Sequence, residues 1–361
     1  MDPRAGSAEK SGILIPGLHL ESVPDSFGLA VVSQASAAND QLQPAAPSDF
    51  WTALGAVYPT ARRVFAGVRS KRLVKRVRLS FRTFVHFGIW RRWHAFLTAS
   101  PFGRIANFYP RFYEKPFRPY LYRSLKSEER CHALVQHYLF LGQHAPEGLI
   151  DAVLSNQPYL LNETSLGELE EPLAINLTYA KHMQQEGELT LSLGRLDSLH
   201  TYREHAWIAS LTFTVCHGKS GWEMVIGGVQ GGHAEQGRED AKLATKLFHG
   251  LRPKPLLIYV LREIAGCWGI DRIYGVTNDS HCLTRRRYRG RISIKSSYDE
   301  LWQEAGGVPV AGGFYELPVQ APRRALETVP SRKRSLYQRR FRLLDTMDGE
   351  IRAKFGARKV P

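Results

Sequence analysis

The chain has 361 residues, a formal net charge of +15 and a pI near 9.7, so it is long enough for two ordinary domains and favours anionic partners. Its four cysteines show no C-x-x-C spacing, which excludes a zinc ribbon, and we predict neither a metal site nor a disulfide framework. No apolar run reaches the roughly 18 residues that span a membrane, and the N-terminal residues lack a signal-peptide pattern. We therefore expect a cytoplasmic protein.

The chain begins with a segment of low complexity. Residues 1–49 are rich in Ala, Ser, Pro and Gln without a sustained period, and we predict that they are disordered. Ser48 and Asp49 at its end predict the N-cap of a helix that begins at Phe50.

Residues 50–110 form a strongly basic helical segment, and no acidic residue occurs between positions 50 and 113. The apolar residues that fit one face of a helix here are Leu73, Val77, Phe81, Phe84 and Val85. A basic amphipathic helix of this kind lies on an anionic lipid surface or binds an acidic partner. The alternative is a helix that packs its apolar face on the core and leaves its arginines in water. The pattern leaves both open.

Residues 111–322 predict an α/β or α+β core with a mixed sheet. Period-two alternation and turn residues predict strands at 189–194, 207–215, 223–229, 272–276 and 313–317. Apolar residues at helical spacing predict helices at 128–141, 239–248, 254–268 and 299–304. The tail, residues 323–361, is basic again and predicts one amphipathic helix over 333–355.

A succession of short motifs within this core is more specific than its periodicity. In chain order the motifs are Gly227-Gly228-Val229-Gln230-Gly231, His249-Gly250-Leu251-Arg252-Pro253-Lys254, Ile273-Tyr274-Gly275-Val276-Thr277-Asn278, Tyr298-Asp299-Glu300-Leu301-Trp302 and Phe314-Tyr315-Glu316-Leu317-Pro318. With these motifs, residues 110–345 resemble the VirK/YbjX family, a bacterial domain of unknown function linked to virulence and antimicrobial-peptide resistance. The resemblance implies a bacterial protein of envelope stress, and it names no reaction.

The order of elements also resembles part of the acyl-CoA N-acyltransferase fold. In that fold a β-hairpin leads into a loop and helix whose N-terminal amides hold the coenzyme's pyrophosphate, and a parallel strand then splays away to open a slot for the acyl chain. The resemblance implies acyl-CoA as a ligand. The residues placed to hold it are Gln230, Gly231, Arg252 and Lys254, and those placed to transfer protons are His281 and Tyr315.

Several of these residues have a structural alternative. Asn278 and His281 follow a predicted strand, where α/β folds often place their chemistry, but the same stretch is a plain turn signal. The glycines around Gln230 would let a backbone approach a ligand closely, or would form a β-bulge. Arg285 and Arg287 belong to a dense cationic run that would clamp phosphate groups, or would form a solvated loop.

Two functions follow from these observations. The first is a basic, non-catalytic protein that associates peripherally with the anionic inner membrane or a phosphate-bearing ligand. The alternative is a CoA-dependent acyltransferase-like enzyme acting on an envelope component. Nucleic-acid binding ranks third, because no recognised binding module accompanies the charge. The sequence leaves open whether the chain is an enzyme.

Overall fold

The computed structural model describes residues 49–164, 172–196, 207–218, 221–232, 234–284, 297–320 and 323–357. These residues form a mixed α/β fold with an eight-stranded sheet, which confirms the predicted fold class. The disorder predicted for residues 1–49 falls on positions outside these ranges, apart from Asp49. Arg285 and Arg287, predicted to bind phosphate, also lie outside the described residues.

Three helices open the described part of the chain: α1 (Phe50–Val64), α2 (Arg72–Val85) and α3 (Phe87–Ala99). The predicted cap is confirmed, since the Asp49 carboxylate accepts hydrogen bonds from the amides of Trp51 (3.1 Å) and Thr52 (3.2 Å). The indole of Trp90 on α3 donates to the carbonyl of Ala53 at 2.8 Å and so fixes α3 against α1.

A second group of helices leads to the sheet. It consists of α4 (Ile105–Phe108), α5 (Ser127–His144), α6 (Glu147–Ser155) and two 3-10 helices, Pro101–Arg104 and Pro110–Phe117. The helix predicted over 128–141 is confirmed as α5. Aromatic rings of Trp93, Phe112 and Tyr138 pack edge to face, with centroids 5.1 Å and 5.5 Å apart, and join α3, the second 3-10 helix and α5.

The sheet contains β1 (Tyr159–Thr164), β2 (Leu173–Tyr179), β3 (Leu189–Arg195), β4 (Trp207–His217), β5 (Trp222–Gly231), β6 (Arg272–Val276), β7 (Val308–Val310) and β8 (Phe314–Leu317). Their spatial order is β1-β2-β3-β4-β5-β6-β8-β7. Neighbouring strands are antiparallel except β5 and β6, which are parallel. All five predicted strands are present, and β1, β2 and β7 were not predicted.

The remaining helices are α7 (Ala234–Leu247), α8 (Pro253–Trp268), α9 (Tyr298–Glu304) and α10 (Ser331–Phe355), and all four match predicted helices. The buried helix α8 reaches the sheet where the rings of Trp268 and Phe213 meet, with centroids 6.5 Å apart. The long helix α10 bonds to both α8 and the edge strand β1. Asp348 accepts from the Tyr259 hydroxyl at 2.8 Å, and Glu350 accepts from the Asn162 amide at 2.8 Å.

The two faces of the central strands differ in polarity because successive side chains point to opposite sides. Leu211, Phe213 and Val215 of β4 share the face that meets α8, whereas the other face carries buried hydroxyls. Those hydroxyl residues of β3 and β4 are Thr190, Ser192, Ser210, Thr212 and Thr214. The sheet is therefore buried on both sides, with polar groups concentrated on one.

Candidate functional site

The parallel strands β5 and β6 separate part-way along the sheet. Their pairing runs from Glu223↔Arg272 to Ile226↔Gly275, after which β6 ends at Val276 while β5 continues to Gly231. A β-bulge lies at this point, since Gly228 pairs with Thr212 and Ile226 with Phe213, leaving Gly227 as the extra residue. Among the described residues, the end of β5 therefore has no strand neighbour on the β6 side.

A cluster of polar side chains occupies this separation. Glu186, in the turn before β3, accepts hydrogen bonds from the Gln230 amide at 3.2 Å and 3.3 Å, and its Oε1 lies 3.5 Å from His281 Nε2. The Tyr298 hydroxyl accepts from the Val229 amide at 3.4 Å. Four residues from four distant segments thus meet at one place, which we call the Glu186–His281 cluster.

His281 is held in one orientation within the Glu186–His281 cluster. Its Nδ1 accepts a hydrogen bond from the Leu283 amide at 3.3 Å, which places the ring proton of the neutral form on Nε2, facing Glu186. Its ring stacks on Tyr298 with centroids 5.4 Å apart, and Tyr298 stacks on Trp302. Burial, with the Glu186 charge, raises the pKa of Tyr298 far above its usual value. The Nε2 atom of His281 is buried and makes no hydrogen bond among the described residues, and the proton-transfer role of His281 stays a prediction.

The glycines before Gln230 serve a contact within the chain. A Cβ atom at Gly227 would lie 1.9 Å from the carbonyl oxygen of Glu186, and one at Gly228 would lie 2.0 Å from Glu186 Oε2. The β-bulge, one of the two alternatives that the sequence left open, is thus present. The close approach is to Glu186 of the same chain, and an approach to a ligand stays a prediction.

The sequence assigned Gln230 and His281 to the same predicted acyltransferase-like site. In the structure both side chains lie next to the Glu186 carboxylate. Glu186 and Tyr298 were missed as members of this cluster. Glu186 lies in a turn between β2 and β3 without a motif of its own, whereas Tyr298 was interpreted as core packing, which is also part of its role. No periodicity in the sequence marks a residue that reaches a site from a turn.

Asn278 and Tyr315 lie beside the cluster with partners of their own. The Asn278 side-chain oxygen accepts from the Tyr298 amide at 3.1 Å, and its backbone amide donates to Asp299 at 3.3 Å, so it fixes the start of α9. The Tyr315 hydroxyl accepts from Gln303 at 3.0 Å. Both residues position α9. The ligand-binding assignment of Asn278 and the catalytic assignment of Tyr315 stay predictions.

The predicted ligand-binding residues Gly231, Arg252 and Lys254 line a cavity of about 470 Å³ at the end of β5. Other cations of its wall are Arg238 and Lys242, from α7. Burial, followed by the neighbouring Arg252, lowers the pKa of Lys254. The Arg252 guanidinium pairs with Glu304 at 2.5 Å, which neutralises part of the positive charge that a phosphate would meet there.

The apolar face of α2 points into solvent. Leu79 and Thr83 form its buried face, whereas Phe81 is 68% exposed and Phe84 is 65% exposed. The exposed apolar side chains of this helix are Leu73, Val74, Val77, Phe81, Phe84 and Val85. We call this surface the α2 apolar face. The predicted amphipathic helix is present, and the alternative in which its apolar face packs on the core is wrong.

Basic residues border the α2 apolar face, and a second exposed aromatic group lies on α1. Arg78 follows Val74 by four residues and precedes Phe81 by three, so it lies next to both on the helix surface. Trp51 of α1 is 74% exposed. Within the described residues, no helix has the length and apolar character needed to cross a bilayer.

Comparison with known sequences places the chain in a family. Residues 69–353, which include α2 and the Glu186–His281 cluster, match the family described as "Protein of unknown function (DUF535)". The chain belongs to this family. The DUF535 match confirms the resemblance to VirK/YbjX proteins drawn from the motifs. No solved structure gives a significant match.

Three bacterial relatives illustrate the range of DUF535 proteins. "Uncharacterized protein YbjX" of Escherichia coli is 31% identical over 68% of this chain and 72% of its own length. An "Uncharacterized protein" of Haemophilus influenzae is 29% identical over 78% of this chain and 89% of its own. "Membrane protein LapB" of Mannheimia haemolytica is 23% identical over 63% of this chain and 90% of its own.

Proposed function

We propose that the protein associates peripherally with the surface of an anionic membrane through α2. The observation that carries the proposal is the α2 apolar face, which lies opposite the buried residues Leu79 and Thr83. A helix that packs on a core normally turns its apolar face inward, and α2 does the reverse. An apolar face of this size in water is typical of a binding surface.

Charge supports a bilayer as the occupant of this surface. The region contains no acidic residue between positions 50 and 113, and cations border the α2 apolar face. Each lysine or arginine near an anionic leaflet contributes about 1 kcal/mol, while apolar side chains enter the interface between headgroups and acyl chains. The name of one relative, "Membrane protein LapB", points the same way. We infer a cytoplasmic protein at the inner membrane that supports tolerance to envelope stress.

Vesicle co-sedimentation tests the proposal. The full chain is mixed with vesicles of phosphatidylcholine alone or with added phosphatidylglycerol, and compared with the double variant Phe81→Ser/Phe84→Ser. We expect the native chain to sediment with the anionic vesicles and the variant to stay in the supernatant. A matched control is Val308→Ser, which removes an exposed apolar side chain of β7 and should leave binding unchanged.

Two outcomes would contradict the proposal. One is equal sedimentation of the native chain and the Phe81→Ser/Phe84→Ser variant. The other is a native dimer in solution that becomes a monomer in the variant, which would show that a second copy of the chain covers the α2 apolar face.

The strand arrangement favours a second candidate function, a CoA-dependent acyltransferase. The β4–β5 hairpin is followed by α7, and the parallel strand β6 ends where β5 continues, which is the order the resemblance implies. The Glu186–His281 cluster would handle protons, and the cavity beside Lys254 would take the coenzyme phosphates. The buried side chain of Tyr298, bonded to Val229, occupies the separation of β5 and β6, so an acyl chain there has to displace it.

Ligand-dependent unfolding tests this candidate. A ligand at 100 times its dissociation constant adds about 2.7 kcal/mol to the free energy of unfolding, which raises the melting temperature by several degrees. We expect acyl-CoA, but not ADP, to raise it in the native chain and in the control Lys333→Gln, and to have less effect on Lys254→Gln. No rise with any acyl-CoA would contradict the acyltransferase candidate.

A further inference from the structure

A basic cavity of about 500 Å³ lies beside α2, away from the Glu186–His281 cluster. Its walls come from α2, from the 3-10 helix Pro110–Phe117 and from the start of α5 at Ser127. Phe65, Leu79 and Phe117 contribute its apolar surface. We call it the α2 cavity.

The described lining of the α2 cavity is predominantly cationic. Its charged or titratable residues are Lys75, Arg78, Arg82, His86, Arg111, Glu114, Arg118 and Arg130. Glu114 is the single carboxylate among these described residues, and it pairs with Arg118 at 2.8 Å and with Arg111 at 3.9 Å. The described lining therefore carries six lysine and arginine side chains and one carboxylate.

Two of these arginines are fixed before any ligand binds. Arg82 donates to the carbonyl of Phe117 at 3.1 Å, and the buried Arg130 donates through Nε to the carbonyl of Leu125 at 2.9 Å. These bonds to carbonyl oxygens hold both guanidinium groups in place. A preorganised cation of this kind loses little entropy when it binds an anion.

The two α2 residues Lys75 and Arg78 are less constrained. Within the described part of the chain, neither side chain makes a hydrogen bond or ion pair. Arg78 also lies next to Val74 and Phe81 of the α2 apolar face, so one residue borders both features. The α2 cavity lies on the side of α2 that carries Leu79, and Arg78 stands between that side and the α2 apolar face.

We propose that the α2 cavity binds the phosphomonoester headgroup of a membrane lipid. This inference rests on the proposed membrane association and names the lipid chemistry that would be recognised. Guanidinium groups match phosphate oxygens in pairs, and a terminal phosphomonoester carries a charge of about −1.5 to −2 at pH 7, more than a diester. Several cations against a single, already paired carboxylate suit the more highly charged group.

Vesicle binding at matched total charge tests the preference. The full chain is titrated with phosphatidylcholine vesicles containing phosphatidic acid, a monoester, or phosphatidylglycerol, a diester. We expect at least tenfold tighter binding to the monoester vesicles, and loss of this preference in Lys75→Gln/Arg78→Gln. The control Arg62→Gln/Arg69→Gln removes the same charge from exposed residues outside the cavity and should keep the preference.

A second experiment, with soluble ligands and no membrane, separates headgroup recognition from membrane attachment. Glycerol 1-phosphate should raise the melting temperature of the native chain and of Arg62→Gln/Arg69→Gln, but not that of Lys75→Gln/Arg78→Gln, and dimethyl phosphate should have no effect. Because this measurement contains no bilayer, it reports on the α2 cavity even where attachment fails.

The outcomes distinguish the two proposals. Vesicle binding without a monoester preference, or a preference that survives in Lys75→Gln/Arg78→Gln, overturns the headgroup site and leaves the membrane proposal intact. No binding to any vesicle overturns the membrane proposal together with the lipid assignment, whatever glycerol 1-phosphate does.

Discussion

Lys115 and Glu188 form an ion pair in the interior of the protein, with side chains 3% and 0% exposed. The Tyr138 hydroxyl donates to the other oxygen of Glu188, and the Lys115 ammonium lies over the rings of Phe112, Tyr120 and Tyr179 at 5.4–5.9 Å. Burial lowers the pKa of Lys115, and the charge of Glu188 opposes that shift. The pair joins the 3-10 helix Pro110–Phe117 to the polar face of the sheet.

We predict that Lys115→Met costs about 3–5 kcal/mol of stability, because it leaves the Glu188 carboxylate buried without its cation. Denaturant unfolding of both proteins measures the difference. The matched control is Lys242→Met, whose pair with Glu239 is exposed and should contribute less than about 1 kcal/mol. The double variant Lys115→Met/Glu188→Gln should recover part of the loss. A loss no larger than that of the control would contradict the role assigned to the pair.

Gly227→Ala should destabilise the fold because the new Cβ atom meets backbone. It would lie 1.9 Å from the carbonyl oxygen of Glu186, which cannot swing away as a side chain would. We expect a loss of more than about 1 kcal/mol. In Gly349→Ala, by contrast, the new Cβ atom meets nothing within 4 Å inside α10, so the same change should stabilise by about 0.5–1 kcal/mol. Thermal unfolding measures the stability change in each variant. Equal changes in Gly227→Ala and Gly349→Ala would contradict a close contact between Gly227 and Glu186.

Glu223 should make the stability depend on pH. Burial, with the nearby charges of Glu316 and Asp271, raises its pKa to about 7 although Arg272 opposes the shift, and neither carboxylate oxygen has a hydrogen-bond partner among the described residues. A group whose pKa is raised in the folded state stabilises at low pH, and that contribution is lost as the pH rises through about 7.

Comparison with Glu223→Gln isolates this effect. The variant should melt close to the native chain at pH 4.5 and several degrees above it at pH 8, because only the native chain then buries a charge. Melting curves across this range measure the difference. A constant difference between the two proteins at all pH values would show that Glu223 does not titrate as described.

Asn278→Ala should weaken the start of α9 rather than abolish a reaction. It removes the oxygen that accepts from the Tyr298 amide, at a cost of about 1 kcal/mol. Asn278→Asp retains an acceptor oxygen and should lose less. Thermal unfolding of the three proteins compares them, and equal melting temperatures would show that Asn278 does not hold α9.

The sequence predicted the long helices and the central strands because their patterns are complete within one segment. Residues 254–268 repeat apolar side chains at helical spacing, and a buried helix, α8, occupies that position. Strands β1, β2 and β7 were missed for different reasons. β2 was missed although Ile175, Leu177 and Tyr179 alternate with Asn176 and Thr178, while β7 has three residues and a proline at an edge of the sheet.

The candidate sites were predictable only in part. Gln230 and His281 drew attention through a glycine-rich turn and a strand end, but the carboxylate that joins them, Glu186, lies far away in the chain. The amphipathic pattern of α2 showed that one face is apolar, not which way it turns. The orientation of α2 depends on which residues of other helices pack against Leu79 and Thr83, and the sequence of α2 alone does not contain that information.

The contacts of α10 have a consequence for how the protein is made. Glu350 bonds to Asn162 across 188 positions of sequence, and Phe355 packs on Tyr159 of the same edge strand. A growing chain therefore carries β1 without its cover while nearly all of the remaining residues are synthesised. During that interval β1, an edge strand of the described sheet, lacks its side-chain contacts with α10, and an edge strand can pair with another chain. Secure folding of the first strand in the sheet thus waits for the last helix, and chains interrupted before α10 should be the ones most prone to aggregate.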